Sequence, residues 1–307
     1  MIPICSDGDF SPSILKECLE KIFKKTLTMP VPVADMGKFS QAYSSKLEDE
    51  DIVIKTTRGR NSYPAEIWVY EKLSRLGVPV PSVMFYCESL PPLSIPCLVI
   101  SRIAGEALTC IKLRKQYEKD VYGMTGKILG KIHSIRLTGT HYGYGAFATD
   151  FSERFDCWED FLFRLHDIPS TIQRLADDDV IDIRYTDYLN RVTEDVVAHR
   201  FESVLNHGDL GPDHLFILKG KIVGVIDPGN SFSGPPEYDL AYFGVYVNPI
   251  HLRYALDQYV GHYKMDKVNH YMCIISAHKA MRAHEVGDYN KRDFFINVLA
   301  RISAFSY

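Results

Sequence analysis

The chain has 307 residues, 46% of them hydrophobic and 24% charged, with a formal net charge of -4. That length supports one large domain or two lobes around a substantial core, and the acidic balance argues against a nucleic-acid binder, which is usually basic. The seven cysteines are scattered and odd in number, with no C-x-x-C pair, and read as reduced thiols of a cytoplasmic protein; no N-terminal signal peptide and no bilayer-spanning run is read from the sequence.

In chain order, a helix is expected over the first part of the chain, with Leu19, Ile22 and Phe23 at helical spacing and Asp7 or Ser11 as its cap. From Val31 to about Ile103 the pattern is strand-rich. The runs Phe39–Ser44 and Asp51–Lys55 read as strands around the acidic turn Glu48-Asp49-Glu50-Asp51. A helix follows from about Tyr63 to Leu76, with Ser62 just ahead, Pro64 in its first turn, Gly77 and Pro79 past its end, and Val69, Leu73 and Leu76 as its apolar stripe. Pro96–Arg102 reads as a further strand. Beyond Gly105 the chain is mostly helical. Val121, Met124, Thr125, Ile128, Leu129, Ile132 and Ile135 mark one long buried helix. A glycine-rich loop, Gly139 to Gly145, and a helix from Trp158 through Leu165 come next, and the C-terminal hundred residues or so read as helical apart from one hairpin. The composition shift near 103 divides the chain into a small N-terminal lobe, residues 1–102, and a larger C-terminal lobe, residues 103–307.

The hairpin carries the chemistry. Asn206-His207-Gly208-Asp209-Leu210-Gly211-Pro212-Asp213-His214 precedes an aliphatic run from Leu215 to Leu218, a Lys-Gly-Lys break, a second run from Ile222 to Ile226, and then Asp227-Pro228-Gly229. A hairpin returns the chain to where it began, so His214 and Asp227 are expected side by side, with Asp209 one loop away. A loop carboxylate such as Asp209 can accept or orient the proton of an attacking hydroxyl. Asp227, emerging from an aliphatic strand beside a glycine, is suited to a hard divalent cation. Taken singly, H-G-D and D-P-G are ordinary turn sequences; the ordered set is far more specific.

That set resembles the catalytic segment of the aminoglycoside phosphotransferase family, a branch of the protein-kinase-like fold that includes choline and fructosamine kinases. Pro236-Glu237-Tyr238-Asp239-Leu240-Ala241 is similar to the family's following D/E-x-D-L-A run, and Leu129-Gly130-Lys131-Ile132-His133 to its L-G-x-L-H helix. Ile52-Val53-Ile54-Lys55 resembles the strand bearing the nucleotide lysine. Glu66 with Tyr70-Glu71-Lys72-Leu73 and Leu76–Pro81 resembles the next helix and its G-x-P-x-P exit, and Leu98–Gly105 the hinge. The likeness covers about residues 30 to 300; the spacing of Tyr142-Gly143-Tyr144-Gly145 and of Trp158–Phe161, with the C-terminal Tyr271-Met272 helix, is most similar to hygromycin phosphotransferases.

The resemblance implies an α+β, bilobal protein-kinase-like fold and transfer of a phosphoryl group from ATP or GTP, with Mg2+, to a hydroxyl of an aminoglycoside-type antibiotic, conferring resistance. It implies Asp209 as the catalytic base, His214 and Asp227 as metal ligands, Lys55 on the α/β phosphates oriented by Glu66, Ser40 as a phosphate contact, and backbone groups from Ser101 to Ile103 on the base. A polyhydroxylated amine as acceptor would be met by carboxylates: Asp213 first, then Glu237, Glu285 and Asp288. His207 reads as structural, His133 as a core histidine, and Asp239 as a helix cap or a brace of the catalytic loop. Two features depart from the family pattern. His214 stands where Asn is usual, as it does in the 2''-phosphotransferase branch, and Asp35–Gln41 holds one glycine rather than G-x-G-x-x-G. Competing readings are a kinase of choline, homoserine or amino sugars, a metallohydrolase using His207, Asp209 and His214, and a catalytically silent kinase-like binding module.

Overall fold

The computed structural model describes residues 11–33, 40–137, 139–148 and 153–303. The N-terminal lobe is an antiparallel five-stranded sheet in the order β1-β2-β3-β5-β4, formed by β1 (Val31–Pro32), β2 (Ser40–Leu47), β3 (Glu50–Thr57), β4 (Val83–Leu90) and β5 (Ile95–Ser101). Strands β2 and β3 run further than expected and pair as far as Leu47 and Glu50, which shrinks the acidic turn to Glu48-Asp49. Alternation along β3 buries Ile52 and Ile54 under helix α1 (Pro12–Phe23), whose Leu15 and Leu19 close that core; Ile22 lies outside it. Asp7 falls outside the described residues. Ser11 occupies the N-cap position, but its hydroxyl meets the Ser13 hydroxyl at 2.6 Å instead of a helix amide.

Helix α2 (Tyr63–Arg75) links the two lobes. Its Tyr63 and Tyr70 pack on Leu98 and Ile100 of β5, whereas Val69 and Leu73 join the core of the larger lobe. Leu76 is the C-cap, past the last turn, and is therefore partly exposed.

In the C-terminal lobe, β6 (Glu106–Ala107) pairs with β8 (Leu215–Leu218), which forms the expected hairpin with β9 (Lys221–Val225). The three-residue break tightens to a two-residue turn at Lys219-Gly220. Both residues have positive φ (51° and 76°), the twist that suits a hairpin. The long helix α3 (Lys115–His133) buries Val121, Thr125, Ile128, Leu129 and Ile132 as its period dictates. Met124 is exposed and Ile135 lies beyond the helix end. Helices α4 (Trp158–His166), α5 (Ile168–Asp177) and α6 (Ile183–Val197) follow, and after the hairpin α7 (Pro236–Tyr246), α8 (Pro249–Leu256), α9 (Met265–Glu285) and α10 (Tyr289–Ser303).

The C-terminal part is not helical throughout apart from the hairpin. Strands β7 (Val204–Asn206) and β10 (Phe232–Gly234) form a two-stranded antiparallel sheet flanking the Asp209 loop. Phe232 anchors that sheet in an aromatic cluster with Trp158, Phe161 and Tyr238, and the Trp158 indole donates to the Tyr271 hydroxyl at 3.1 Å. The described cysteines are unpaired, and among the described residues no helix is long and apolar enough to cross a membrane.

Candidate active site

The site lies where β3, α2 and the loops at the open end of the β8–β9 hairpin converge. Lys55 sits near the end of β3 and Glu66 in the first turn of α2, so the strand-to-helix connection alone brings them face to face. The Lys55 ammonium donates to both carboxylate oxygens of Glu66, at 2.7 and 2.8 Å, and to Asp227 Oδ1 at 2.8 Å. Burial disfavours its charge, but the two carboxylates outweigh burial and hold its pKa above the ordinary lysine value. Burial likewise pushes the Glu66 carboxyl up while Lys55 pulls it down. At Asp227 the Lys55 ammonium dominates, and the carboxyl is held down at about 2.

Asp227 follows β9 in the left-handed region, φ 61°, a conformation that aspartate tolerates better than most residues. Its amide donates to the Tyr70 hydroxyl at 3.0 Å, and Tyr70 also hydrogen-bonds Glu66, which ties the loop back to α2. On the other strand of the hairpin, the Ile226 amide donates to the His214 carbonyl at 3.1 Å. The expected juxtaposition of His214 and Asp227 is thus present.

The Asp209 loop is braced from behind. Asp239, in the first turn of α7, accepts from the amides of His207 (2.6 Å) and Gly208 (2.9 Å), and meets His133 Nε2 at 3.3 Å. His133 is buried, with Nδ1 2.9 Å from the Tyr259 hydroxyl. His207 donates from Nε2 to the Ile226 carbonyl at 3.1 Å; burial lowers its pKa, so it is a neutral structural donor. Gly208 has φ 79°, and a Cβ there would lie 2.2 Å from the Asn230 carbonyl, so the two loops can meet only over a glycine. That contact sets Asn230 Nδ2 3.3 Å from Asp209 Oδ2, while the Tyr242 hydroxyl donates to Asp209 Oδ1.

His214 donates from Nδ1 to the Asp209 carbonyl at 2.6 Å, which leaves Nε2 available. Burial lowers its pKa, but Asp209, Asp213 and Asp227 outweigh it and the net direction is upward. Asp213, exposed, comes within 3.9 Å of Nε2. Asp227, with its side chain 49% exposed, His214 Nε2 and the exposed Asp213 thus share this end of the hairpin. Among the described residues no group of three or more His, Cys, Asp or Glu side chains is gathered closely enough to hold a metal ion, so a cation here would need oxygen ligands from outside the protein.

The other sequence-derived residues are distributed unevenly. Ser40 begins β2, paired with Thr57, and residues 34–39 before it lie outside the described residues. Ser101 spends its amide on the Ser82 carbonyl at 2.9 Å and its hydroxyl on the Ser82 amide at 2.8 Å. Its amide is therefore committed to the sheet. Ile103 lies past β5 with its side chain against Gly224 of β9.

Three carboxylates expected at the acceptor are engaged elsewhere. Glu237 is buried, with Oε1 accepting from the Lys264 amide at 3.0 Å, and lines a 740 Å³ cavity with His133, Arg136 and Tyr259 behind the loop. Glu285 pairs with Arg174 at 2.6 Å and Arg282 at 3.2 Å, and Asp288 caps the Lys291 amide at 3.1 Å. Tyr70, which lies in the α2 motif but has no role assigned from it, and Asn230, Tyr242 and Arg60 also reach the site. A single Asn or Tyr carries no periodic signal, and Arg60 reads as a loop charge until the fold lays it over the Tyr144 ring at 4.6 Å and within 3.1 Å of the Gly229 carbonyl and of Asn230 Oδ1.

Residues 37–268 match the model of a family described as the phosphotransferase enzyme family. The chain belongs to that family. No curated protein matches the sequence. Among solved structures, a thermostable mutant of aminoglycoside phosphotransferase APH(4)-Ia in its apo form superposes on this family member with a TM-score of 0.70 at 16% identity, covering 95% of this chain and 99% of that one. The same enzyme (D198A) in ternary complex with ADP and hygromycin B gives 0.66 at 17% identity, with 94% and 97% covered. The GDP complex of aminoglycoside 2'-phosphotransferase-IIIa gives 0.65 at 13%, with 97% and 100% covered. The bilobal kinase-like fold of the phosphotransferase is common to all three.

Proposed function

We propose that this phosphotransferase moves the γ-phosphoryl group of ATP or GTP to a hydroxyl of a cationic, polyhydroxylated acceptor of the aminoglycoside type, hygromycin-like compounds foremost, and so confers resistance in the cytoplasm. The observation that carries the reading is Lys55 bonded at once to Glu66 and Asp227, with the Asp209 carboxylate held one loop away. Lys55 is already charged and aimed by Glu66, as a residue that contacts the α/β phosphates must be. Asp209 accepts the acceptor hydroxyl proton as the oxygen bonds to the γ-phosphorus and the bond to the leaving β-phosphate oxygen breaks. Asp227 and His214 would hold Mg2+, which when bound supplies charge neutralisation to the phosphates. Because such a transition state is loose, the protein contributes mainly position and charge. Nucleotide and antibiotic complexes of similar fold support this reading, and Asp213, exposed beside His214, is the carboxylate best placed for an acceptor ammonium.

The test is a coupled kinase assay against hygromycin B, kanamycin and other aminoglycosides, with choline and neutral amino sugars as controls. Acceptor-dependent nucleotide turnover is expected with one or more aminoglycosides. Asp209→Asn should lower kcat by about 10²-fold or more while nucleotide binding persists. Turnover confined to neutral acceptors or choline would refute the substrate class, and wild-type-like rates in Asp209→Asn would refute the base.

A further inference from the structure

Helix α7 grips the Asp209 loop at two points. Asp239 holds the backbone of His207 and Gly208, and Tyr242, three residues on and hence on the same helix face, reaches the Asp209 carboxylate itself. Tyr242 is 5% exposed. Its hydroxyl oxygen accepts from Lys279 Nζ of α9 at 3.1 Å, and that ammonium also lies 5.2 Å from the ring centroid. An ammonium can only donate. Tyr246 also hydrogen-bonds this hydroxyl, but the Asp209 carboxylate is the charged acceptor and the shortest contact, so the tyrosine proton goes to Oδ1, and burial with the neighbouring carboxylate keeps the phenol protonated.

The second carboxylate oxygen accepts from Asn230. A carboxylate offers about four lone-pair directions, so two fixed donors set its plane and still leave room for an incoming hydroxyl. We propose that Tyr242, oriented by Lys279, is a positioning residue that fixes the angle at which Asp209 receives the acceptor hydroxyl. The proposal rests on the phosphotransferase reading and adds a Lys279–Tyr242–Asp209 relay to it.

Two simpler roles are distinguishable. A tyrosine that binds the acceptor would move acceptor KM, and a purely structural one would move the melting temperature. With the full-length protein, Tyr242→Phe is expected to lower kcat of transfer about tenfold, the scale of one lost orienting contact, with acceptor KM, nucleotide Kd and melting temperature unchanged. Lys279→Met should lower kcat in the same direction, Lys279→Arg should restore most of it, and Tyr242→Phe/Lys279→Met should be no slower than Tyr242→Phe alone, because the lysine acts through the tyrosine. Unchanged kcat in Tyr242→Phe, or a rise in acceptor KM alone, overturns the proposal. Multiplying losses in the double variant overturn the relay. If Tyr242→Phe fails to fold, Lys279→Met carries the test, and a wild-type kcat there is fatal. A wild-type enzyme that turns over no acceptor sinks the underlying reading instead.

Discussion

Lys55, Glu66 and Asp227 were legible in the sequence because each sits at a fixed place on a recognisable element: near the end of a strand, in the first turn of the next helix, and at the exit of a hairpin. The residues that complete the site were not. Asn230 and Tyr242 meet Asp209 only because the Gly208 contact and the α7 brace place them there. His214 was visible but its geometry was not. The structure shows Nδ1 committed to the Asp209 carbonyl and Nε2 facing Asp213 at 3.9 Å. Imidazole is a softer ligand than Mg2+ prefers, so His214→Asn should retain transfer activity and raise the ratio of Mg2+-supported to Mn2+-supported kcat. Loss of all activity in a variant that melts like the wild type would show that the imidazole does more than hold metal.

At the scale of elements, the long buried helix marked by Val121 to Ile135 is present as α3, beginning at Lys115, six residues before its first marker, and ending at His133, whereas β7 and β10 carried no signal. Three-residue strands are too short to display a period of two, and both are specified by burial of Leu205 and Phe232 rather than by pattern. The helices of the larger lobe also bury histidines whose cost is invisible in sequence. His166 at the end of α4 keeps one ring nitrogen on the Tyr238 hydroxyl (3.1 Å) and leaves Nδ1 without a partner; burial, then His278 and Lys279, depresses its pKa far below the ordinary value. His199, between α6 and β7, is lowered to about 4 by burial and by Lys267 and Lys264, and burial lowers His207 and His278 as well. In each case the folded pKa lies below that of the unfolded chain, about 6.5. Their contribution is whole above that value and is lost as the pH falls, His199's share being complete near 4. His214, raised, works in the opposite sense but is outnumbered. Unfolding free energy should therefore fall from pH 7 to pH 5, by at most ~1.4 kcal/mol per pH unit for each extra proton the unfolded chain binds, and the melting temperature should fall with it. NMR should find His199 titrating near 4. A flat melting temperature across that range would mean these rings are charged in the fold.

For the whole molecule, the decisive feature is that the lobes are not joined by a hinge alone. Helix α2 contributes Val69 and Leu73 to the larger core, and Trp68 lies against Phe147 at 4.9 Å, so Glu66 is held from the C-terminal side. Two side chains of the small lobe then reach across to the loop at 227–230: Lys55 to Asp227, and Arg60 to Gly229 and Asn230 as well as over Tyr144. On the proposed reading, Lys55 exchanges part of its pairing when the nucleotide phosphates bind. Arg60 need not, so it should keep the loop in place through that exchange. Arg60→Ala is expected to raise nucleotide KM about fivefold, the scale of ~1 kcal/mol for hydrogen bonds at a partly exposed site, with a smaller change in kcat at saturating nucleotide. Amide exchange over residues 228–231 should quicken in the nucleotide-free protein and return toward the wild-type rate when nucleotide and metal are bound. Unaltered nucleotide KM together with unaltered exchange would show that α2 and Lys55 suffice to register the two lobes, and that Arg60 only decorates the cleft.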